Sequence, residues 1–478
     1  MTLKSVDSLP SGVVAPDYDV ASVRPGIVHF GVGNFFRAHE AFYVEQVLKD
    51  DPNWAIIGVG LTAGERSERK AAQYKAQNCF YSLTETAPSG DSKVRVIGCL
   101  RDYLLAPDSP EAVLERLSDP ATRIVSMTIT EGGYNIDEST GEFDLTNDAV
   151  QQDLKTPERP STIFGYVVEA LRRRRDAGHK AFTIMSADNL RHNGTVARKA
   201  FLGYAKARDA ELASWVEANA TFPNGMVDRI TPTVSSAVIE KLNKASGLED
   251  DLPLVAEDFH QWVLEDSFAD GRPPLEKAGV QFVDDVTDYE HVKIRMLNAS
   301  HIMLSFPATL MGYENIDQAL ADEDLRRNVE AFLNKDVIPT LHAPPGVTLE
   351  GYRDSVISRF SNPAMADQIL RIASDGSSKV QVFWTETVRQ ALERKTDVSR
   401  IAFGIAAYLE MLRTVPDHSE PTFKAKQKEL ASAEDYESAL KLPSFDAWRD
   451  LDTTELNAKV IELRKVIREK GVRAAIPA

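Results

Sequence analysis

The fold of the N-terminal half is decided by the stretch Ile27-Val28-His29-Phe30-Gly31-Val32-Gly33-Asn34-Phe35-Phe36-Arg37. Its first four residues form a short apolar run that predicts a buried strand, and residues 38–48 carry apolar side chains at helical spacing. A strand, a glycine turn and a helix in this order are typical of the first unit of a dinucleotide-binding fold. Gly31 would permit the tight turn, and Gly33 would let backbone N–H groups approach a pyrophosphate.

The glycine turn departs from the usual fingerprint in one respect. The third glycine is missing, and Phe36 stands in its place. An ordinary turn that binds no ligand is therefore an alternative for this stretch. The turn by itself predicts a strand–turn–helix unit, and its function depends on what the rest of the chain supplies.

A second strand, predicted at residues 54–59, is followed by a loop that contains Glu65 and Arg66. In a dinucleotide-binding fold, an acidic residue after this strand accepts hydrogen bonds from the adenosine ribose hydroxyls. Glu65 is the candidate for that role, which favours NAD. Arg66 could instead bind a 2′-phosphate, so NADP is not excluded. The alternative is that both residues are ordinary loop charges.

Polar residues also follow two later apolar strands, which begin near Arg123 and Ala181. The carboxyl ends of parallel strands are where ligands bind in open α/β sheets. Thr130 and Glu131 could therefore face the cofactor or a proton path, and Asn189 could donate an amide hydrogen bond to a reacting oxygen. Ordinary turn and cap residues are the alternative at both strand ends.

From residue 291 onward the pattern is helical almost throughout. The sequence therefore predicts an α/β fold whose Rossmann-like N-terminal domain, residues 1–285, contains an extended sheet. A mainly α-helical, substrate-binding domain would follow at residues 286–478, with the active site in the cleft between the two domains. The helices predicted in the second domain lie roughly at residues 291–306, 315–334, 364–375, 379–393, 397–414 and 454–470.

One face of the first of these helices carries three polar side chains suited to acid–base chemistry. With about 100° of rotation per residue, Asn298 lies about 140° and His301 about 80° around the helix from Lys293. An amine, an amide and an imidazole around one oxygen would suit proton abstraction from an alcohol. A polar, solvated helix side is the alternative.

The composition excludes several classes of partner and location. The chain has 478 residues, and its net charge of −17 argues against binding to nucleic acid or to anionic membranes. The N-terminus lacks the apolar segment of a signal peptide, and no apolar run approaches the about 18 residues of a membrane span. The two cysteines, Cys79 and Cys99, make a disulfide framework implausible. A cytoplasmic location is therefore expected.

Six motifs follow one another along the chain. They are Gly31-Val-Gly-Asn-Phe-Phe-Arg-Ala-His39, Thr128-Ile-Thr-Glu-Gly-Gly-Tyr134, Asp188-Asn189, Met226-Val-Asp-Arg-Ile230, Lys293-x4-Asn298-x2-His301 and Ser374-Asp-Gly-Ser-Ser-Lys379. Each motif is weak alone, but together they resemble the long-chain, polyol-specific mannitol dehydrogenase family. The resemblance runs from about residue 25 to about residue 400, and the last stretch of the chain matches no motif.

The resemblance implies a reversible oxidation of D-mannitol to D-fructose, with a nicotinamide cofactor and without a metal. Lys293 would be the general base, and Asn189 and Asn298 would hold the developing alkoxide. His301 would orient the substrate oxygen, and Glu131 would gate the route of the proton to water.

The resemblance also implies which residues bind the substrate and the cofactor. The remaining hydroxyls of the polyol or ketose would bind Asp228, Arg371 and Lys379. The cofactor, NAD with NADP not excluded, would bind Gly31, Gly33, Phe35, Phe36, Arg37, Glu65, Thr130 and Val227.

The substrate stays open, because the family also holds dehydrogenases of arabinitol or sorbitol and reductases of hexuronates such as fructuronate. If Asp228 lines the pocket, its charge would repel a carboxylate and favour a neutral polyol. A non-catalytic nucleotide-binding protein is a further alternative, which the complete set of proposed catalytic residues disfavours. Nine histidines without an obvious ligand pair predict no metal site. We expect a monomer or a small homo-oligomer.

Overall fold

The fold is described from a computed structural model, in which the chain divides into two units. Strands occur only in the first unit among the residues described. The described residues are 3–137, 140–416 and 418–477, without the side chain of Glu131. Unit 1 consists of Met1–Ala87 and Asp91–Thr287, and unit 2 consists of Pro88–Gly90 and Asp288–Ala478.

A five-stranded parallel sheet lies at the centre of unit 1, in the order β6-β3-β2-β7-β8. The chain starts at the central strand β2, moves outward to β3 and β6, and then continues on the other side with β7 and β8. The order reverses between β2 and β7, and ligands bind at such a switch point. The strands of the unit are β1 (Val13–Val14), β2 (Pro25–Phe30), β3 (Ala55–Gly60), β4 (Tyr81–Thr86), β5 (Ser92–Ile97), β6 (Leu100–Leu105), β7 (Ile124–Met127), β8 (Thr183–Ser186), β9 (Gly225–Asp228), β10 (Leu254–Glu257), β11 (Gln261–Glu265) and β12 (Gln281–Val283).

The remaining strands form two smaller sheets. One has the order β1-β5-β4-β10, in which β4 and β5 are antiparallel, and the other has the order β12-β11-β9. The helices that begin in this unit are α1 (Asn34–Ala38), α2 (Glu40–Val47), α3 (Glu65–Ala76), α4 (Pro110–Ser118), α5 (Asp148–Lys155), α6 (Ile163–Asp176), α7 (Asn193–Arg208), α8 (Ala210–Asn219), α9 (Ser236–Ser246) and α10 (Thr287–Val292).

Both faces of the parallel sheet are buried, because successive side chains of a strand point to opposite faces. Val28 and Phe30 of β2 belong to an apolar cluster with residues of α4, α6 and α7. Ile27 belongs to a second cluster, which includes residues of α2 and Tyr74 of α3. The apolar runs in the sequence are therefore the core of the sheet.

Unit 2 is built from helices, so the predicted fold class is confirmed. Within the described part of the chain, no helix combines the length and the apolar character that a membrane crossing requires. The helices of the unit after α10 are α11 (Ala299–Leu310), α12 (Ile316–Leu320), α13 (Glu323–Phe332), α14 (Leu349–Phe360), α15 (Ile369–Ala373), α16 (Gly376–Phe383), α17 (Thr385–Arg394), α18 (Ser399–Thr414), α19 (Ala425–Ala431) and α20 (Thr454–Lys470).

Three predicted helices are in fact interrupted. The helix predicted at residues 38–48 breaks at His39, whose ψ of −85° lies outside the helical region. The helix predicted at residues 315–334 breaks before α13, because the carboxylate of Asp322 accepts the first free N–H groups of that helix. The third, at residues 379–393, is shared between α16 and α17, and helix α14 was not predicted at all.

Replacing Gly31 by alanine should destabilise unit 1 more than the same change at another glycine with positive φ. Gly31 has a φ of +88°, and an added Cβ would lie 2.0 Å from the carbonyl oxygen of Thr128. Gly279 has a φ of +95°, but an added Cβ there would meet no described atom within 4 Å. We expect Gly279→Ala to cost about 1–2 kcal/mol of stability and Gly31→Ala to cost clearly more. Urea unfolding of both variants measures the difference, and equal losses would contradict the proposed close contact.

Candidate active site

The glycine turn lies at the switch point of the parallel sheet and closes tightly. The N–H of Gly31 donates to the carbonyl of Val59 over 3.1 Å, and the N–H of Gly33 donates to the carbonyl of Gly31 over 2.6 Å. A Cβ added at Gly33 would meet no described atom closer than the Gly31 oxygen at 3.7 Å. The space beside Gly33 is therefore open, which fits the approach of a dinucleotide pyrophosphate to the backbone.

Of the residues Phe35, Phe36 and Arg37, which come shortly after the turn, the last two pack inside unit 1. Phe36 is fully buried and stacks on His29, with 3.6 Å between the ring centroids. The buried guanidinium of Arg37 donates to the carbonyl oxygen of Leu252 over 2.8 Å. Phe35 is partly buried. The side chains of Phe36 and Arg37 thus belong to the core, and the binding of a cofactor by these three residues stays a prediction.

A buried polar network links the glycine turn to strand β2. His29 Nε2 lies 3.1 Å from Thr128 Oγ1, and the Thr128 hydroxyl donates to the carbonyl of Gly31 over 2.6 Å. His29 Nδ1 lies 2.8 Å from Ser126 Oγ, which lies 2.6 Å from the carboxyl of Glu40. These hydrogen bonds connect the glycine turn to side chains of the sheet and hold it in place.

Helix α3 places charged residues beside the turn. Glu65 and Arg66 are its first two residues, and both side chains are exposed. Lys70, one turn further along, donates from its ammonium group to the carbonyl of Val32 within the glycine turn. Burial, and then the charges of Arg37 and Arg66, lower the pKa of Lys70 to about 8. Positive charge is therefore gathered next to the glycine turn.

A strained corner follows strand β7. Thr130 has a φ of +64° and a ψ of 167°, a region reached essentially only by glycine at a cost of about 1–3 kcal/mol for other residues. The carboxylate of Asp188 accepts the N–H groups of Thr130 and Ile129 over 2.9 and 3.0 Å and the Tyr134 hydroxyl over 2.7 Å. Burial raises the pKa of Asp188, whereas these three hydrogen bonds lower it. The carboxylate thereby holds the corner in place.

Four of the predicted site residues lie at strand ends of unit 1. Asn189 directly follows Asp188, and its side chain is exposed. Glu131 begins the short helical turn Glu131–Tyr134, but its side chain lies outside the described residues. Val227 and Asp228 are the last residues of β9, and both are buried. The roles predicted for these residues stay predictions.

Lys293 and Asn298 are the first and last residues of a π-helical segment between α10 and α11. The N–H of Ala299 donates to the carbonyl of Ile294, five residues earlier, rather than four. The α-helical angles predicted for this stretch are therefore wrong. A π turn takes up more residues, so it brings side chains five apart closer to one side of the helix.

The two polar groups of this segment are buried, with exposed fractions of 6% for Lys293 and 7% for Asn298. Asn298 Nδ2 has no hydrogen-bond partner among the residues that the structure describes. A buried donor without a partner costs about 1–3 kcal/mol. The amide is therefore available to an acceptor such as a substrate oxygen.

His301 lies one turn further along and is held between a ring and a carboxylate. Its imidazole stacks on Phe360 with 4.4 Å between centroids, and its Nε2 lies 3.8 Å from Asp367 Oδ2. Burial lowers the pKa of His301 to about 4, with Asp367 opposing the shift and Arg371 adding to it. The imidazole is therefore neutral near pH 7. Within the described part of the chain, its Nε2 has no hydrogen-bond partner.

The two cations predicted to bind substrate already contact protein groups. The guanidinium of Arg371 forms an ion pair with Asp367, which thereby lies between Arg371 and His301. The ammonium of Lys379 donates to the carbonyls of Ile372 and Ser374 over 2.7 Å each, which caps the end of α15. The capping role was not predicted for Lys379, and the binding of substrate by either cation stays a prediction.

Two residues of this arrangement were missed in the sequence. Asp367 belongs to no motif and follows Ala366, whose φ of +41° could not be predicted from its identity. His29 did offer a signal, because it is a polar residue inside the apolar run of β2. A buried polar residue in a strand core indicates a hydrogen-bonded network.

Two family descriptions together match nearly the whole chain. Residues 25–277 match the mannitol dehydrogenase Rossmann domain, and residues 285–465 match the mannitol dehydrogenase C-terminal domain. The chain belongs to the mannitol dehydrogenase family. The predicted family and its enzyme class, an oxidoreductase, are confirmed.

Three members of the mannitol dehydrogenase family are closely similar to the chain. A polyol:NADP oxidoreductase of Gluconobacter oxydans is 74% identical and covers 100% of both chains. A crystal structure of a D-sorbitol dehydrogenase in substrate-free form is 72% identical over 100% of both chains, with a TM-score of 0.93. A Pseudomonas fluorescens mannitol 2-dehydrogenase, solved as a ternary complex with NAD and D-mannitol, is 39% identical. It covers 98% of this chain and 96% of its own, with a TM-score of 0.89.

Replacing His301 by glutamine should flatten the loss of stability on acidification. In the folded chain the pKa of His301 is about 4, below the ordinary value of 6.5, so the unfolded state binds its proton first. Wild type should therefore lose stability as the pH falls from about 6.5 towards 4. Melting temperatures at pH 7.5 and 5 measure the change, with the exposed His342→Gln as the control. An equal drop in wild type and His301→Gln would contradict the buried, neutral imidazole.

Proposed function

We propose that the chain reversibly oxidises one secondary hydroxyl of a hexitol, D-sorbitol or D-mannitol, with a nicotinamide cofactor. The observation that carries this proposal is a buried amine, Lys293, and a buried amide donor, Asn298, in one π-helical segment. A base and a hydrogen-bond donor at one oxygen are what the oxidation of an alcohol requires. The names of the three relatives support the substrate class.

Each of the proposed catalytic residues has one role at the reacting hydroxyl. Lys293, whose side chain is buried, would accept its proton. The amides of Asn298 and Asn189 would donate to the developing alkoxide. When bound, the cofactor takes up the hydride from the carbon. His301 would orient the oxygen as a neutral imidazole, and Glu131 would gate the route of the proton to water.

The remaining hydroxyls of the polyol are proposed to bind Asp228 and Arg371. Asp228 is buried, so a carboxylate substrate beside it would meet strong repulsion. This favours a neutral hexitol over a hexuronate. The described residues contain no group of three or more His, Cys, Asp or Glu that could hold a metal ion.

Between the hexitols, we infer that D-sorbitol is the better substrate. The D-sorbitol dehydrogenase structure is 72% identical to the chain, whereas the mannitol 2-dehydrogenase structure is 39% identical. The sequence motifs point to D-mannitol, which differs from D-sorbitol only in configuration at one carbon. Both hexitols therefore belong in the test.

The predicted cofactor, NAD with NADP not excluded, fits the relatives, and we infer that this chain prefers NADP of the two. The relative that is 74% identical to the chain is a polyol:NADP oxidoreductase. Arg66 is exposed at the start of α3, and Lys70 lies beside the glycine turn. Both cations suit a 2′-phosphate better than the bare ribose hydroxyls.

Initial rates with D-sorbitol, D-mannitol, arabinitol and fructuronate, each with both cofactors, test the proposed reaction. We expect turnover of the hexitols and a loss of more than about 10³-fold in kcat for Lys293→Ala, because the general base is removed. Lys335→Ala is the matched control, because Lys335 is an exposed lysine in the other π-helical segment, Leu333–Val337. Reaction of the uronate alone, or normal turnover by Lys293→Ala, would contradict the proposal.

Two neighbouring substitutions should move cofactor preference in opposite directions. Arg66→Ala should raise the KM for NADP about tenfold, because a charge-assisted bond to phosphate is lost, and change the KM for NAD little. Glu65→Ala should weaken NAD more than NADP. Arg69→Ala, which removes another exposed cation of α3, is the control. If the ratio of the KM for NADP to the KM for NAD is the same in all three variants as in wild type, then α3 does not bind the ribose.

A further inference from the structure

We propose that Asp188 is a positioning residue for the reaction, which holds the main chain of Ile129 and Thr130 so that the corner after β7 keeps its working conformation. This inference rests on the proposed function, since it assigns a role in the same reaction. Asp188 would touch neither substrate nor cofactor with its side chain. It would act through the corner that it holds.

The geometry of the carboxylate is that of a clamp. Oδ1 accepts the N–H of Thr130 over 2.9 Å, and Oδ2 accepts the N–H of Ile129 over 3.0 Å and the hydroxyl of Tyr134 over 2.7 Å. The side chain is 7% exposed, so water does not compete for these donors. One carboxylate thus ties both ends of the segment 129–134 to the end of β8.

The clamp acts on a conformation that threonine does not adopt on its own. Thr130 has φ +64° and ψ 167°, and a β-branched side chain makes that region worse. Two successive N–H groups that converge on one carboxylate offset the strain locally. Without them, the backbone would relax towards an ordinary β or α conformation.

The segment has little freedom to relax by a smaller movement. A Cβ added at Gly133 would lie 3.0 Å from the Cβ of Ile129, so the main chain folds closely onto itself there. Tyr134 is buried, and its hydroxyl also bonds Ser186 of β8. Loss of the clamp would therefore displace the whole corner rather than one side chain.

Two of the residues proposed to act in the reaction lie next to this clamp. Glu131, the proposed proton gate, lies in the corner between Thr130 and the two glycines, and Asn189, a proposed alkoxide donor, directly follows Asp188. The carboxylate thereby fixes the distance between the corner and the main chain next to Asn189. Errors of about 1 Å in such spacing can cost about 10²-fold in rate.

His29 of β2, two strands away from β8, does not replace the clamp. Its ring nitrogens bond Ser126 and Thr128. An amide at position 188 would keep the shape but replace one acceptor oxygen by a donor. Asp188→Asn would therefore turn one main-chain hydrogen bond into a clash between donors.

A double-mutant cycle between positions 188 and 130 tests the proposal in the full chain. We expect Asp188→Asn to lower kcat for the preferred hexitol about 100-fold, while the KM for the cofactor changes less than about threefold. Glycine reaches the conformation of Thr130 without strain. In a Thr130→Gly background, Asp188→Asn should therefore lower kcat less than about fivefold. Equal losses in both backgrounds would overturn the proposal.

Two further variants keep the result interpretable. Asp153→Asn is the matched control, because Asp153 is another buried aspartate of unit 1 that accepts two main-chain N–H groups, those of Ser161 and Thr162. It should lower the melting temperature and leave kcat within about twofold.

If Asp188→Asn does not fold, Tyr134→Phe provides a second test, because it removes one donor to the Asp188 carboxylate. It should lower kcat severalfold without a change in the KM for the cofactor. An unchanged kcat would overturn the proposal. Absence of turnover in wild type would instead contradict the proposed function.

Discussion

The close approach of Gly31 to Thr128 is the constraint on which the N-terminal unit depends. It brings the ends of β2 and β7 together at the switch point, and no side chain larger than hydrogen fits at Gly31. The polar network of His29, Ser126 and Glu40 then stabilises that approach from within the sheet. An open cradle at Gly33 and a strained corner at Thr130 both follow from how tightly these two strand ends meet.

In the helical unit, polar side chains that are proposed to act in the reaction lie in buried or partly buried positions. Lys293 and Asn298 are buried and His301 is partly buried, and this burial keeps the pKa of His301 low enough for a neutral ring. Asp367 balances the charge of Arg371 beside that ring. The buried Asn298 amide has no hydrogen-bond partner among the described residues and so lowers stability, a cost that is typical of functional sites.

Much of the fold could be predicted from the sequence, because apolar runs and glycine turns have local causes. Strand β2, the glycine turn and the helical second half follow from periodicity and composition alone. The breaks at His39 and Asp322 could not be predicted, because backbone direction and capping compete with helical spacing over a few residues. The six motifs identified the candidate residues, but not their partners. The contact of Asp367 with His301 joins positions that are distant in sequence, and no local pattern encodes it.

The π-helical segment makes the number of residues in this part of the chain important, independently of which residues they are. An α-helix turns about 100° per residue, and the segment Lys293–Asn298 accommodates more residues per turn than such a helix. A deletion of one residue there would let the turn close with α-helical winding, so the flanking helices would keep their orientation, but the spacing between Lys293 and Asn298 would change. Among relatives, insertions and deletions should therefore be excluded from these six positions even where single substitutions are tolerated.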